Sequence, residues 1–176
     1  MSGWKNNKES IYLIGPRASG KTTLAREIAA HMNLSARDTD EQLEWEQGKS
    51  IQDLVALYGW EHFRDLEEQI LADISGSRGL VVATGGGIVL RKNNREVLKS
   101  PENLTVYLAA DANMVLQRLA RDPNTGQRPA LSSLPQEEEV RGTLAEREPL
   151  YRECADVVLS ADCSLEGLVR EVMQAL

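Results

Sequence analysis

A glycine-rich motif near the start of the chain limits the possible folds more than any other part of the sequence. Residues 15–22 are Gly-Pro-Arg-Ala-Ser-Gly-Lys-Thr and match the pattern G-x-x-x-x-G-K-[ST]. The motif follows an apolar run at residues 10–15 and precedes apolar residues with helical spacing, Leu24, Ile28 and Met32. A strand that leads through such a loop into a helix is the context in which this pattern holds phosphate.

The chemistry of the motif predicts a site for a nucleoside triphosphate. Glycines allow a tight turn in which backbone N–H groups point at phosphate oxygens. Lys21 is a cation suited to the β- and γ-phosphates, and the Thr22 hydroxyl is a candidate Mg²⁺ ligand. The predicted nucleotide-binding residues are Gly15, Pro16, Arg17, Ala18, Ser19, Gly20, Lys21, Thr22 and Thr23. The alternative is an ordinary glycine turn after a strand.

Predicted strands alternate with helical stretches along the rest of the chain. The strands cover residues 34–38, 80–84, 104–109 and 156–160. This alternation predicts an α/β fold, a parallel sheet covered by helices on both faces. The carboxyl ends of the strands then share one edge, where ligands of such sheets bind.

Two segments interrupt the alternation. Residues 40–74 have a wholly helical pattern and predict a substrate-binding lobe, and residues 122–135 are rich in turn formers and predict a lid loop. The length of 176 residues fits a single domain. The polar residues 1–9 are expected to be flexible.

Composition excludes several classes of function. Lys and Arg number 20 against 27 Asp and Glu, and the net charge of −7 argues against a nucleic-acid partner. Apolar runs are too short for a membrane span and the start lacks a signal peptide, so we expect a cytoplasmic protein without a membrane partner. Cys154 and Cys163 are too few for a disulfide scaffold, and we interpret both as structural or incidental.

Two aspartates lie at the end of the second predicted strand. Strand alternation places the Asp38 and Asp40 carboxylates on the same side, with Thr39 opposite. One carboxylate suits Mg²⁺ bound through water, and the other could orient an attacking hydroxyl. Alternatively, one of them only caps the helix predicted to begin near Glu41.

Other candidate residues are arginines and glycines near the same edge. Arg64 and Glu67 are three apart on one helix face, which suits an anion-binding guanidinium fixed by a carboxylate, although a solvated surface pair has the same spacing. Glycines at residues 85–87 follow an apolar strand and leave backbone N–H groups accessible, as a plain turn also does. Arg147 could be an exposed helix-end charge, whereas Arg128 lies in the lid segment and could close over the transferred phosphate.

Taken in order, these motifs resemble those of the shikimate kinase family. The matching set extends from about Ile11 to the C-terminal helix and comprises residues 15–22, 38–40, 48–51, Phe63-Arg64 with Glu67, residues 85–87, Arg128-Pro129, and Arg147 with residues 149–151. The resemblance implies a P-loop kinase fold with a five-stranded parallel sheet. It also implies transfer of the γ-phosphate of ATP to the 3-hydroxyl of shikimate, with Mg²⁺ as cofactor. We expect a monomer whose partner is this small molecule.

The resemblance also implies a role for each matching residue. Lys21, Asp40 and Arg128 would be catalytic, with Arg128 as the lid arginine, and Thr22 and Asp38 would serve the metal. The implied shikimate-binding residues are Asp40, Arg64, Glu67, Gly85, Gly86, Gly87 and Arg147, with both arginines on the carboxylate and Glu67 orienting Arg64. Arg118 would pack near adenine and Arg128 would also contact the nucleotide.

Three other functions share part of this pattern. A gluconate kinase or a nucleoside monophosphate kinase would share residues 15–22, but neither explains the combination of Arg64, residues 85–87 and Arg147. A non-catalytic regulator would need no attack geometry, whereas Lys21, Thr22, Asp40 and Arg128 are all present.

Overall fold

A single sheet organises the part of the chain that the structure describes. A computed structural model describes residues 8–121 and 134–176. Five strands form this sheet in the order β2-β3-β1-β4-β5, and all neighbours pair in parallel. The strands are β1 (Ser10–Ile14), β2 (Ser35–Asp38), β3 (Leu80–Ala83), β4 (Asn103–Ala109) and β5 (Val157–Ser160). The predicted parallel sheet is confirmed, and each strand lies where the sequence predicts it.

Helices connect the strands. They are α1 (Lys21–Met32), α2 (Thr39–Gln47), α3 (Ile51–Ser75), α4 (Lys92–Leu98), α5 (Ala112–Arg121), α6 (Gln136–Cys154) and α7 (Leu165–Ala175), with a short 3₁₀ helix at Ile88–Leu90. The prediction that residues 40–74 are wholly helical is wrong in detail. Residues 48–50 separate α2 from α3, and Gly59 has φ 82° and ψ 170° inside α3, which is not a helical conformation. The glycine forms a kink that divides α3 into two helical segments.

The sheet separates two hydrophobic cores. Side chains alternate along β1, so Ile11 and Leu13 face one core, and Tyr12 and Ile14 face the other. Residues of α1, α5 and α7 pack into the first core, while residues of α2 and α3 pack into the second. Helices therefore cover both faces of the sheet, as the sequence predicts.

Some predictions concern residues that the structure does not describe. The flexible start, residues 1–9, and the lid loop, residues 122–135, fall largely within residues 1–7 and 122–133, which lie outside the described residues. Arg128 is among them, so its role stays a prediction. Across residues 8–121 and 134–176, every helix is too short or too polar to cross a membrane.

Candidate active site

Three segments that follow neighbouring strands meet at the carboxyl edge of the sheet. Strand β1 leads into residues 15–20, β2 into the first turn of α2, and β3 into residues 84–87. Because β2, β3 and β1 are adjacent and parallel, these segments lie side by side. The motifs that the sequence places far apart are therefore neighbours. We call residues 15–20 the phosphate loop and residues 85–87 the glycine loop.

The phosphate loop has the geometry of a compact anion cradle at the start of α1. Gly15 has φ 142°, and a Cβ atom there would lie 2.6 Å from the Leu108 carbonyl oxygen, so only glycine fits. The Lys21 side chain is buried, and its Nζ donates to the Gly15 and Pro16 carbonyl oxygens at 2.9 and 2.6 Å. A cation is thus held at the centre of the loop, at the positive end of a helix dipole.

Arg118 of α5 fixes the far side of the phosphate loop. Its Nη1 donates to the carbonyl oxygens of Ala18 and Ser19 at 3.1 and 2.8 Å, and its Nη2 donates to that of Ala161 at 2.8 Å. Three bonds from one planar group hold the guanidinium in a fixed orientation. The family resemblance implies a place near adenine for Arg118, and the structure shows that its side chain also holds the loop backbone.

Asp38 caps α2 and also accepts a hydrogen bond from the phosphate-loop side. One carboxylate oxygen accepts from the Asp40 and Glu41 backbone N–H groups at 2.9 and 3.3 Å, which caps α2. The other oxygen accepts from the Thr22 hydroxyl at 2.6 Å. The expected alternation of Asp38, Thr39 and Asp40 along a strand is wrong, because β2 ends at Asp38 and α2 begins at Thr39. The cap turns the chain into the helix at that point.

Asp40 and Glu67 approach the glycine loop from two different helices. A Cβ atom on Gly85 would lie 2.6 Å from Oδ1 of Asp40 and 2.6 Å from Oε1 of Glu67. The glycine thus allows two carboxylates to approach the backbone at one position. Burial raises the pKa of the Glu67 carboxyl to about 7, and the Asp40 charge also raises it, against the opposing effect of Arg64.

Arg64 is buried beside Glu67 rather than exposed on the helix surface. Its Nη1 atom forms an ion pair with Glu67, and both side chains are almost inaccessible to solvent. A Cβ atom on Gly87 would overlap the Arg64 guanidinium. The interpretation of Arg64 and Glu67 as a solvated surface pair is therefore wrong.

Arg147 and Tyr151 reach the glycine loop from α6. Arg147 Nη1 donates to the Gly86 carbonyl oxygen at 3.2 Å, and the Tyr151 hydroxyl donates to the same oxygen. The Arg147 Nε atom is buried and has no hydrogen-bond partner among the described residues. A bound ligand or a water molecule can satisfy such a buried donor. Arg147 is not the exposed helix-end charge that the sequence also allows.

Two adjoining cavities contain almost all of these residues. The first has Arg64, Glu67, the glycine loop and Arg147 in its wall, with Trp60 and Phe63 as apolar lining. The second is lined by residues of the phosphate loop, by Lys21, Thr22 and Thr23, and by Asp38. Three residues line both cavities, namely Arg17, Asp40 and Gly86. We call the first the acceptor cavity and the second the nucleotide cavity.

The sequence predicts most of this site, but not two contacts. Thr39 accepts a hydrogen bond from the Gly85 backbone, and Tyr151 binds Gly86. Both residues lie inside motifs that the sequence analysis identifies, residues 38–40 and 149–151, and this is the signal that could have found them. Their roles depend on contacts between distant segments, which a single sequence does not display. Glu139 lies in the first turn of α6 and in the wall of the acceptor cavity. The sequence predicts no role for it.

A phosphate loop that adjoins a cavity with arginines and a carboxylate, on a five-stranded parallel sheet, defines a small-molecule kinase of the P-loop class. A family model described as shikimate kinase matches residues 17–176. The chain belongs to the shikimate kinase family.

Individual relatives agree with this assignment. The chain is 41% identical to a shikimate kinase of Nitratidesulfovibrio vulgaris, over 94% of this chain and 94% of the relative. It is 44% identical to a shikimate kinase of Synechococcus sp., over 95% of this chain and 87% of the relative. The solved structure of shikimate kinase from Acinetobacter baumannii in complex with shikimate has a TM-score of 0.89 and 32% identity, and the match covers 97% of this chain and 93% of that one.

Proposed function

We propose that the protein transfers the γ-phosphate of ATP to the 3-hydroxyl of shikimate, giving shikimate 3-phosphate and ADP, as a step of aromatic amino-acid biosynthesis through chorismate. The observation that supports this most is the position of Asp40, which lines both the acceptor cavity and the nucleotide cavity. A carboxylate at that junction can contact a hydroxyl of one ligand while the other ligand presents its terminal phosphate.

The nucleotide cavity supplies what a triphosphate needs. Loop N–H groups and Lys21 would bind the β- and γ-phosphates, and the faces of the Arg118 guanidinium would be available to adenine because its edges bond to carbonyls. Thr22 and Asp38 place two oxygens 2.6 Å apart beside the loop. Such oxygens fit Mg²⁺, which takes few protein ligands and keeps water and phosphate oxygens. Bound Mg²⁺ would neutralise phosphate charge.

The acceptor cavity fits a hydroxylated cyclic acid. Arg64 and Arg147 both line it, so their guanidinium groups can bind one carboxylate from two sides. The ion pair with Glu67 orients Arg64, and the glycine loop lets a ring approach the backbone of Gly86 and Gly87. Trp60 and Phe63 provide apolar contacts for the ring carbons.

In the reaction, Asp40 orients the 3-hydroxyl and accepts its proton as the oxygen bonds to the γ-phosphorus. The bond from that phosphorus to the β–γ bridging oxygen breaks, and the electron pair leaves on ADP. Lys21 stabilises the charge that develops on the transferred group. Arg128 in the lid would add to this stabilisation, as the family resemblance implies. We further propose that the protein acts in the cytoplasm and as a monomer.

ADP release measured with ATP and Mg²⁺ against shikimate, gluconate and AMP tests the proposal. Turnover is expected with shikimate and not with gluconate or AMP. Turnover with gluconate or AMP alone would identify a different kinase, and no turnover with any of the three would favour a regulator.

Asp40→Asn tests the role of the carboxylate at the junction. The variant keeps the shape of the side chain but loses the charge that accepts the proton, so kcat should fall about 10²–10⁴-fold, a larger loss than that of shikimate binding. Asp73→Asn is the matched control, because Asp73 is exposed on the same lobe. Equal, small effects of the two substitutions on kcat would contradict the assigned role of Asp40.

A further inference from the structure

Thr39, the residue between the two aspartates, is buried and joins α2 to the glycine loop. Only 1% of its surface is exposed. Its hydroxyl oxygen accepts a hydrogen bond from the Gly85 backbone N–H at 3.0 Å. The two residues are far apart in sequence, so this bond connects the first residue of a helix with the loop that follows a different strand.

The bond continues the pairing between β2 and β3 beyond the end of the ladder. The last paired residues are Asp38 and Ala83. After Asp38 the backbone turns into α2, so it no longer follows β3 as a partner strand. The Gly85 N–H therefore donates to the Thr39 hydroxyl oxygen instead of to a backbone carbonyl of a partner strand. A buried backbone N–H without an acceptor is unfavourable, so this bond fixes where the glycine loop begins.

The position of that loop sets the geometry of the acceptor cavity. Asp40 follows Thr39 directly and lies against Gly85, as does Glu67, which in turn holds Arg64. A shift of Gly85 away from α2 would change the distance between the Asp40 carboxylate and the ring that lies on the glycine loop. The Thr39 bond is therefore placed to determine the relative position of the group that accepts the proton and the backbone that supports the substrate.

We propose that Thr39 is a positioning residue for phosphoryl transfer, one that holds the glycine loop at the distance from Asp40 that the acceptor hydroxyl requires. The proposal rests on the proposed function of the acceptor cavity. It assigns no substrate contact to Thr39, which acts through Gly85 and Asp40.

Thr39→Val tests the proposal because valine keeps the shape and removes the acceptor. A displacement of about 1 Å in an active site can reduce rates on the order of 10²-fold, so kcat/KM for shikimate should fall about 10- to 100-fold. KM for ATP should change less than kcat/KM for shikimate, because Lys21 and Arg118 hold the phosphate loop through hydrogen bonds of their own. Thr39→Ser keeps the hydroxyl and should restore most of the activity. Hydrogen exchange of the Gly85 amide in the ligand-free protein should be faster in Thr39→Val than in the wild type.

Thr105→Val is the matched control for a buried threonine. Thr105 is 0% exposed, and its hydroxyl donates to the Leu98 carbonyl oxygen at 2.6 Å. It lies near the amino end of β4, away from the carboxyl edge that holds the site. This variant should lose stability without losing kcat/KM. The proposal is overturned if Thr39→Val leaves the Gly85 amide protected, if its kcat/KM for shikimate equals that of the wild type, or if kcat/KM falls equally in Thr105→Val. Failure of the proposed function itself looks different, because the wild-type protein would then not turn over shikimate at all.

Discussion

Gly87 shows how one missing side chain keeps a binding group in place. Its φ of −98° is open to any residue, so the requirement for glycine comes from contact alone. A Cβ atom would overlap the Arg64 guanidinium, which is the end of a flexible side chain and can move without a shift of the backbone. Gly87→Ala should therefore keep the backbone of the glycine loop in place yet displace Arg64. We expect shikimate binding, measured by calorimetry, to weaken by roughly 2–5 kcal/mol.

The control for this substitution is Gly76→Ala. Gly76 also has negative φ, and a Cβ atom there would meet nothing within 4 Å. Shikimate affinity should match that of the wild type. If Gly87→Ala also binds shikimate with full affinity, Arg64 is not needed where the structure places it.

Side-chain chemistry at single positions was predictable, but burial was not. Lys21 and Thr22 follow from a motif whose spacing fixes their neighbours along the chain. The spacing of Arg64 and Glu67 is the same for a surface pair and for a buried one, and only the packing of α3 under the glycine loop distinguishes the two. Thr39 could not be assigned because its partner, Gly85, belongs to another strand.

Among the elements, α3 depends on a glycine in a conformation that other residues do not adopt. Gly59 has φ 82° and ψ 170°, and the helix changes direction there. Ile51 precedes this break and Phe63 follows it, and both residues line the acceptor cavity. Gly59→Ala should reduce the free energy of unfolding by about 1–3 kcal/mol because alanine is strained at this φ and ψ. Urea unfolding gives the value.

Gly142→Ala is the control for Gly59→Ala, because alanine should stabilise the helix at this position. Gly142 lies inside α6, and a Cβ atom there would meet nothing within 4 Å. Alanine should raise the free energy of unfolding by about 0.5–1 kcal/mol. A gain of stability in Gly59→Ala as well would show that the α3 break is not fixed by the glycine.

The break in α3 was not predictable, although the strands were. Apolar residues keep helical spacing on both sides of Gly59, and a single glycine in a helix is tolerated, so the sequence indicates one continuous helix. The strands, in contrast, are short apolar runs bounded by polar residues and glycine. The start of α2 was misplaced because Asp38 ends a strand and caps a helix at once.

At the scale of the whole molecule, strand order brings the site together. A parallel sheet with one ligand edge follows from the alternation of strands and helices, but the order β2-β3-β1-β4-β5 does not follow from a single sequence. That order places residues 15–20, 38–40 and 85–87 side by side. The resulting cavity has buried ionisable groups, and burial raises the pKa of one of them, the Glu67 carboxyl, to about 7.

Glu67 should make stability fall with rising pH, the opposite of a typical paired carboxylate. Burial raises its pKa from 4.5 to about 7, so the folded protein keeps a proton that the unfolded chain has released. The folded state therefore binds more protons between about pH 4.5 and pH 7. The contribution of protonated Glu67 is fully present below this range and is lost as the pH rises through it. At one pKa unit per ~1.4 kcal/mol, the change is at most on the order of 3 kcal/mol.

Glu67→Gln isolates this contribution because glutamine does not titrate. The free energy of unfolding, measured in urea from acidic to slightly alkaline pH, should decline more steeply in the wild type than in Glu67→Gln across the interval from pH 4.5 to about 7. Glu27→Gln, an exposed position on α1, should follow the wild-type curve. Because each variant removes one titratable carboxyl, a difference between them reports on the burial of Glu67 rather than on the loss of a carboxyl as such. Parallel curves for Glu67→Gln and the wild type would mean that Glu67 ionises in the folded protein as readily as in the unfolded chain.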